Sequence, residues 1–160
     1  MKPLIQNLVV AISGSDASIN AAKYAIILAK QYRCSLTAVY VVDTATLRQL
    51  VLTKIFVEDE SKDYEESLYA NGQRYLNYIR ELASQKGLKI ETSLRSGAIY
   101  TEILREAEDR KADLILLGAW EKERKEREII SEAHREILYH AKCSVLMVKE
   151  MNIDQLFKTL

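Results

Sequence analysis

The sequence predicts an α/β three-layer sandwich, in which helices cover both faces of a five-stranded parallel sheet. Short apolar runs alternate with long amphipathic stretches, which is typical of strand–crossover–strand units. Most of the short runs are nearly all apolar, as expected for strands buried on both faces. At 160 residues the chain has the length of one ordinary domain. We therefore expect a single domain over residues 1–150 and a short C-terminal tail over residues 151–160.

Capping residues and glycines mark where the predicted elements begin and end. Ser15, Asp16 or Ser18 can cap the first helix, and Gly87 and Gly118 stand where an element ends. The predicted strands cover residues 8–12, 36–42, 90–94, 114–117 and 145–148. The predicted helices cover residues 16–32, about 59–85, 98–110 and about 123–141.

Two segments lie outside this alternation. Residues 44–57 carry more apolar surface than a plain connection needs, which predicts a helix that packs on its own sheet, covers the crevice as a lid, or forms a dimer contact. The tail is amphipathic, with apolar residues at helical spacing at Ile153, Leu156, Phe157 and Leu160. It either covers the edge of the last strand, docks on a partner, or frays. The sequence leaves these alternatives open.

The charge balance and the cysteines restrict the function class. Lys plus Arg equals Asp plus Glu at 23 each, so no net field attracts nucleic acid or an anionic membrane, and we expect neither as a partner. The N-terminal region has no signal-peptide pattern, and no apolar stretch is long enough to span a bilayer. We expect a cytoplasmic protein. Cys34 and Cys143 each precede an apolar run, as reduced, packed thiols do.

The candidate binding site lies at the carboxyl ends of the first and fourth strands. Open parallel sheets bind ligands there, which points to Ser13, Gly14 and Ser15 in the first loop and to Gly118 and Trp120 in the second. A phosphate site needs glycines that let backbone N–H groups approach the anion. The first loop can supply this, and we expect that the second cannot. Trp120 would stack on a base, fill the pocket, or anchor a helix.

Three segments together resemble the universal stress protein family, and the likeness runs from Leu8 to Lys149. The family's opening strand, Asp-Gly-Ser turn, first helix and second strand are similar to LVVAISGSDASINAAKYAIILAKQYRCSLTAVYVVD. Its Gly-containing turn, third helix and fourth strand are similar to GAIYTEILREAEDRKADLILLGAW, and its closing strand is similar to HAKCSVLMVK. The resemblance implies the family's nucleotide-binding-like α/β fold.

The glycine pattern of the ATP-binding members is only partly present. Those members carry Gly-x2-Gly-x9-Gly followed by Ser or Thr. Gly118 matches the first Gly, but Glu121 stands at the second, Ser131 at the third and Glu132 at the Ser/Thr position. We therefore expect two carboxylates to face the place of the triphosphate, and side chains to block a backbone approach that Gly permits. This favours the branch of the family without ATP binding.

The first loop and the second strand keep more of the family pattern. Ser13 stands where nucleotide-binding members usually have Asp, whereas Gly14 and Ser15 match. Val41 remains where the family's second strand meets adenine. We expect no cofactor. The alternative is a weak sensor of AMP, ATP or another adenine compound, held through Val41, Gly14 and Gly118.

The resemblance implies a stress-response homodimer that works through protein partners and performs no recognised chemistry. Dimers of this family often pair through the last strand, here Ser144 to Val148. An enzyme or a metal site has little support, because His134 and His140 are six positions apart in a predicted helix and lie on different faces. A phosphoacceptor receiver domain has a similar architecture. It needs acidic residues after strands one and three, where this chain has Ser13-Gly14 and Arg95-Ser96.

Overall fold

The computed structural model describes residues 1–119, 131–149 and 152–160, which fold into a parallel sheet with helices on both faces. The predicted fold class is confirmed. The strands are β1 (Asn7–Ile12), β2 (Ser35–Val42), β3 (Glu91–Ser96), β4 (Leu114–Gly118) and β5 (Ser144–Val148). The helices are α1 (Asp16–Tyr32), α2 (Thr44–Leu52), α3 (Glu58–Gln85), α4 (Ile99–Asp109), α5 (Glu132–His140) and α6 (Ile153–Lys158). The helix predicted over residues 123–141 begins only at Glu132, because Ser131 is its extended N-cap; residues 120–130 lie outside the described residues.

The sheet has the strand order β3-β2-β1-β4-β5, and every neighbouring pair is parallel. β1 is central: it pairs with β2 along its whole length and with β4 from Leu8 opposite Leu114. The order reverses between β1 and β4, where a crevice opens at the carboxyl ends of the strands. Receiver domains place their third strand beside the first, in the order 2-1-3-4-5. The strand order therefore rules out the receiver alternative.

Each face of the sheet carries its own apolar core, because successive side chains of a strand point to opposite faces. Leu8, Val10 and Ile12 of β1 pack in the core beneath α1 and α3. Val9, which is fully buried, packs in the second core with Ile103 of α4 and residues of α5. This double coverage explains why the central strands are apolar at nearly every position.

The segment over residues 44–57 forms α2 and an ordered turn. Asp43 begins the helix, because its carboxylate oxygens accept hydrogen bonds from the Thr46 backbone N–H at 3.0 Å and from the Thr46 hydroxyl at 2.7 Å. α2 packs against α3, and its Leu47 is buried. Leu47 also lines the crevice, so α2 forms a wall of the crevice.

The C-terminal tail forms α6, whose main contact is α1. Ile153 and Phe157 are buried in the core beneath α1, and Lys23 Nζ lies 2.6 Å from Asp154 Oδ1. The predicted helix forms and buries Ile153 and Phe157, whereas Leu156, which was predicted to share their apolar stripe, is 49% exposed. The surface that α6 packs against, α1, was not among the alternatives that the sequence suggested.

Both cysteines are free thiols, as expected. Cys34 is buried and Cys143 is half-buried. Burial raises the pKa of both thiols above their ordinary value. Within residues 1–119, 131–149 and 152–160, no helix is long and apolar enough to cross a bilayer.

Candidate functional site

The described residues at the carboxyl ends of β1, β2 and β4 line a crevice of about 630 Å³. This volume lies in the range of small-molecule sites in proteins. Four of the predicted site residues come together there: Ser13, Ser15, Val41 and Gly118. Gly14 belongs to the same loop as Ser13 and Ser15, but it packs against the Tyr75 ring and does not line the crevice. Trp120 and Glu121 lie outside the described residues.

The loop after β1 is held by hydrogen bonds within itself. The Ser13 backbone N–H donates to Ser18 Oγ at 3.1 Å, and the Ser18 hydroxyl donates to the Ser15 carbonyl at 2.9 Å. Ser15 caps α1, because its Oγ accepts a hydrogen bond from the Ser18 backbone N–H at 3.1 Å. The backbone N–H groups of Ser13 and Ser18 are therefore already engaged by protein oxygens.

Gly14 is required by the turn. Its φ is +85°, a left-handed conformation that side chains disfavour, and an added β-carbon would lie 2.6 Å from the Tyr75 ring. The Tyr75 ring stacks in turn on Tyr40, with centroids 6.2 Å apart and an angle of 11° between the ring planes. Gly14 thus lets the loop lie against an aromatic pair at the back of the crevice.

Close packing against α1 explains why position 118 is a glycine. A β-carbon there would lie 2.5 Å from the carbonyl of Ala17 and 2.8 Å from the backbone nitrogen of Ser18. The first turn of α1 therefore approaches β4 so closely that only glycine fits. The sequence placed this glycine at the end of an element and at the first Gly of the ATP-binding pattern, and the contact with α1 is sufficient to require it.

The N-terminus of α5 forms another part of the crevice wall. Ser131 caps the helix, since its Oγ accepts a hydrogen bond from the His134 backbone N–H at 3.1 Å. Ser131, Ala133 and His134 line the crevice. Glu132 is exposed in the first turn and is not among the lining residues. The expectation that its carboxylate faces the crevice is therefore wrong for Glu132, because the helical turn directs Ala133 and His134 inward instead.

The crevice is also lined by a carboxylate and an imidazole that the sequence did not single out as site residues, those of Asp43 and His134. Burial lowers the pKa of the His134 imidazole below its ordinary value of 6.5, which favours the neutral ring. The signal for Asp43 was its position after a buried strand and three residues before a threonine, as in a helix cap. His134 gave no such signal, because an imidazole on an amphipathic helix is usually a surface group.

The two histidines lie in different surroundings, as their spacing predicted. His140 Nε2 lies 3.2 Å from Glu136 Oε2 and borders a separate, smaller cavity with Cys143. Within the part of the chain that the structure describes, no three His, Cys, Asp or Glu side chains are grouped to hold a metal ion. The crevice itself combines apolar walls from Val41, Leu47 and Leu50 with a polar edge from the two loops and Asp43. Such an arrangement suits binding of a small molecule with an apolar face.

The profile of the universal stress protein family matches residues 5–149. A universal stress protein of Methanocaldococcus jannaschii is 34% identical over 147 residues, which cover 92% of this chain and 84% of that protein.

Solved structures of the family share the fold. A universal stress protein from Lactobacillus plantarum has a TM-score of 0.74 at 21% identity, covering 92% of this chain and 100% of that one. A family protein from Arabidopsis thaliana, solved with AMP bound, has a TM-score of 0.65 at 15% identity, covering 93% of this chain and 94% of that one. The profile match over most of the length and the archaeal relative together show that the chain belongs to the universal stress protein family.

Proposed function

We propose that this chain is a cytoplasmic stress-response protein that acts as a homodimer and through protein partners, without binding ATP and without catalysing a reaction. Membership of the family supports the stress-response role. The loops of the crevice support the absence of ATP binding. The free edge of the sheet at β5 supports the dimer.

The observation that carries the proposal is the internal use of hydrogen-bond donors where a phosphate would be held. Phosphate sites in such folds present free backbone N–H groups at a loop and a helix N-terminus. In this chain the Ser13 N–H donates to Ser18 Oγ, and the Ser18 N–H donates to Ser15 Oγ. At the start of α5, the His134 N–H donates to Ser131 Oγ. An incoming phosphate would have to break these bonds.

Charge at the crevice acts in the same direction. The Asp43 carboxylate lines the crevice. A carboxylate near a triphosphate raises the free energy of the complex through like-charge repulsion. Apart from charge, Glu121 and Ser131 stand where the ATP-binding members carry glycine, which supports the same choice.

The dimer proposal concerns β5. Within the described residues β5 pairs with β4 on one side and with no strand on the other, which leaves a row of backbone groups available for a second copy. Val145, Leu146 and Met147 are only half-buried in the single chain. Pairing of two β5 strands would extend the sheet and cover these side chains.

The alternative is weak binding of AMP, ATP or another adenine compound in the same crevice. It is favoured by the crevice volume of about 630 Å³ and by the retained Val41, Gly14 and Gly118. The Arabidopsis relative, which was solved with AMP bound, supports this alternative. Ser13, Ser15 and Trp120 would complete such a site.

Isothermal titration calorimetry of nucleotide-stripped protein with ATP, ADP and AMP, in the presence of magnesium, separates the two functions. At about 0.1 mM protein, the absence of heat with all three limits the binding free energy to weaker than about −5 kcal/mol. That result is expected. Saturable binding in the micromolar range would overturn the proposal and favour the nucleotide sensor.

A triple variant tests whether Glu121, Ser131 and Glu132 prevent ATP binding. Glu121→Gly, Ser131→Gly and Glu132→Ser together restore the family's glycine pattern, and we expect this variant to give saturable heat with ATP. Glu81→Gln, an exposed carboxylate on α3, serves as the control and should remain silent. A triple variant that folds and still shows no heat would contradict the role assigned to these positions.

A further inference from the structure

The turn between α2 and α3 exposes three large apolar side chains. Leu52, Ile55 and Val57 have 78%, 66% and 61% of their surface accessible to solvent. We call this region, residues 52–66, the α2–α3 corner. Exposed apolar side chains that adjoin one another and have a charged rim mark interaction sites more often than chance exposure does.

The α2–α3 corner is an ordered surface. The backbone N–H groups of Ile55 and Phe56 donate to the Leu50 carbonyl at 2.9 and 3.2 Å. The Phe56 ring packs on the Tyr64 ring of α3, with centroids 5.9 Å apart. Phe56 thereby fixes the turn on α3, while its neighbours Ile55 and Val57 are held outward.

The α2–α3 corner is also strongly acidic in sequence. Residues 52–66 contain six carboxylates against two lysines, a net charge of −4 in a chain whose total is zero. None of the six takes part in an ion pair among the described residues. The six are Glu58, Asp59, Glu60, Asp63, Glu65 and Glu66.

Helix stability explains only part of this charge. Glu58, Asp59 and Glu60 lie in the first turn of α3, where negative charge is favourable next to the helix N-terminus. Asp63, Glu65 and Glu66 lie beyond that turn, where the effect has faded. The remaining negative charge of the α2–α3 corner is complementary to a positively charged partner.

We infer that the α2–α3 corner is a docking surface for a basic amphipathic segment of a partner protein. Apolar side chains of the segment would cover Leu52, Ile55 and Val57, and its Lys and Arg side chains would pair with the acidic rim. A second copy of the chain would bring like charges together, and an anionic membrane would be repelled. This inference rests on the partner-binding function proposed above and assigns that function to a surface.

The location of the α2–α3 corner is compatible with a dimer. α3 packs against β2 and β3, on the side of the sheet where β3 is the edge strand. β5 forms the opposite edge. A dimer formed through β5 therefore leaves the docking surface of each subunit accessible.

The test uses the full chain and a fluorescent peptide of Leu and Lys, arranged as an amphipathic helix of about five turns. Fluorescence anisotropy should show saturable binding that weakens as salt is raised. We expect Ile55→Ser, and separately the pair Asp63→Asn and Glu66→Gln, to weaken binding about tenfold. Tyr139→Ser, an exposed aromatic on α5, and Glu81→Gln on α3 are matched controls and should bind as the unaltered chain does.

Several results would overturn the inference. They are the absence of peptide binding, equal binding by the corner and control variants, or binding of a peptide in which Glu replaces Lys. Loss of self-association in Ile55→Ser would identify a second copy as the occupant, and binding to phosphatidylserine vesicles through the same residues would identify a membrane. A failure here leaves the nucleotide calorimetry and the state of the β5 dimer unchanged, so the two proposals fail separately.

Discussion

At the scale of single residues, the glycine at position 118 has two possible reasons, close packing and ligand binding. The contact of 2.5 Å between a hypothetical β-carbon and the Ala17 carbonyl is with backbone, which cannot move as a flexible side chain does. A glycine in a nucleotide-binding pattern and a glycine demanded by a helix–strand contact look the same in a sequence. The structural reason for Gly118 was therefore beyond sequence reasoning.

We expect Gly118→Ala to lower the free energy of unfolding by about 2 kcal/mol, because α1 must shift away from β4 to admit the methyl group. Urea denaturation measures this loss. Gly87→Ala is the control, since no atom lies within 4 Å of a β-carbon there and its φ of +73° alone costs about 1 kcal/mol. Equal losses in the two variants would argue against the close contact.

Glu106 is a charged residue buried between β3 and α4. Its side chain is only 3% exposed, and its oxygens accept hydrogen bonds from Ser93 and Arg110 at 3.0 Å each and from Arg95. Burial by itself raises the pKa of Glu106, but the hydrogen bonds from Arg95, Arg110 and Ser93 outweigh burial and lower it below 4.5. The carboxylate thus joins the edge strand to its helix.

We expect Glu106→Gln to lower the free energy of unfolding at pH 7 by about 3 kcal/mol, because Arg110 loses its carboxylate partner and Arg95 keeps only Glu102 and Asp109. The folded pKa lies below the unfolded one, so this stabilisation is present above about pH 4.5 and is lost as the pH falls through the folded pKa. Denaturation measured from pH 7 to pH 3 should therefore show a steeper loss for the unaltered chain than for the variant. Parallel pH profiles would refute this account, and Glu81→Gln should stay within about 0.5 kcal/mol throughout.

At the scale of elements, α6 is the clearest case of a short helix stabilised by tertiary contacts. Six residues are too few for an independent helix, so α6 depends on its contact with α1. The Phe157 ring is buried, with the ammonium groups of Lys23 and Lys86 at 5.9 and 4.8 Å from its centroid.

We expect Phe157→Ala to lower the free energy of unfolding by about 2 kcal/mol and to release the tail. The loss is smaller than that of a central core residue, because α6 lies at the margin of its core. Leu156→Ala is the matched control, since Leu156 is 49% exposed, and its effect should stay within about 0.5 kcal/mol. Limited proteolysis of the C-terminus gives a second readout: a tail equally resistant in Phe157→Ala would show that this contact does not hold α6.

The elements differ in how well the sequence defines them. α3 was predicted from residue 59 to 85 and runs Glu58–Gln85, because its apolar stripe repeats over many turns. β3 was predicted over residues 90–94 and runs Glu91–Ser96, since the polar edge sequence ETSLRS carries little apolar signal at its end. The tail shows apolar residues at helical spacing, but this spacing specified neither the surface that buries Ile153 and Phe157 nor the exposure of Leu156.

The candidate site was predictable in position and only partly in composition. The carboxyl ends of β1 and β4 follow from the alternation of strands and helices, and Ser13, Ser15, Val41 and Gly118 do line the crevice. His134 enters it because Ser131 sets where α5 begins, a detail of capping that shifts which side chains face inward. The direction of Glu132 away from the crevice has the same cause.

At the scale of the whole molecule, the free edge of β5 determines the state of assembly that we expect. Sedimentation of the unaltered chain should give a dimer, and Met147→Lys should give a monomer, because a charge at the half-buried strand would be buried in the paired sheet. The lysine can extend into water in the single chain, so the fold should persist in circular dichroism. Met147→Leu is the control and should remain dimeric. A monomeric unaltered chain, or a dimeric Met147→Lys, would refute pairing through β5.

The pairing of β1 with both β2 and β4 has a consequence during protein synthesis. β2 follows β1 closely along the chain, but β4 begins only at Leu114, and α6 comes last. Until β4 has emerged from the ribosome, the central strand, which is apolar on both faces, keeps one edge open to any other chain. A message that ends early, or a ribosome that stalls before this point, would release a product with its most aggregation-prone edge unprotected.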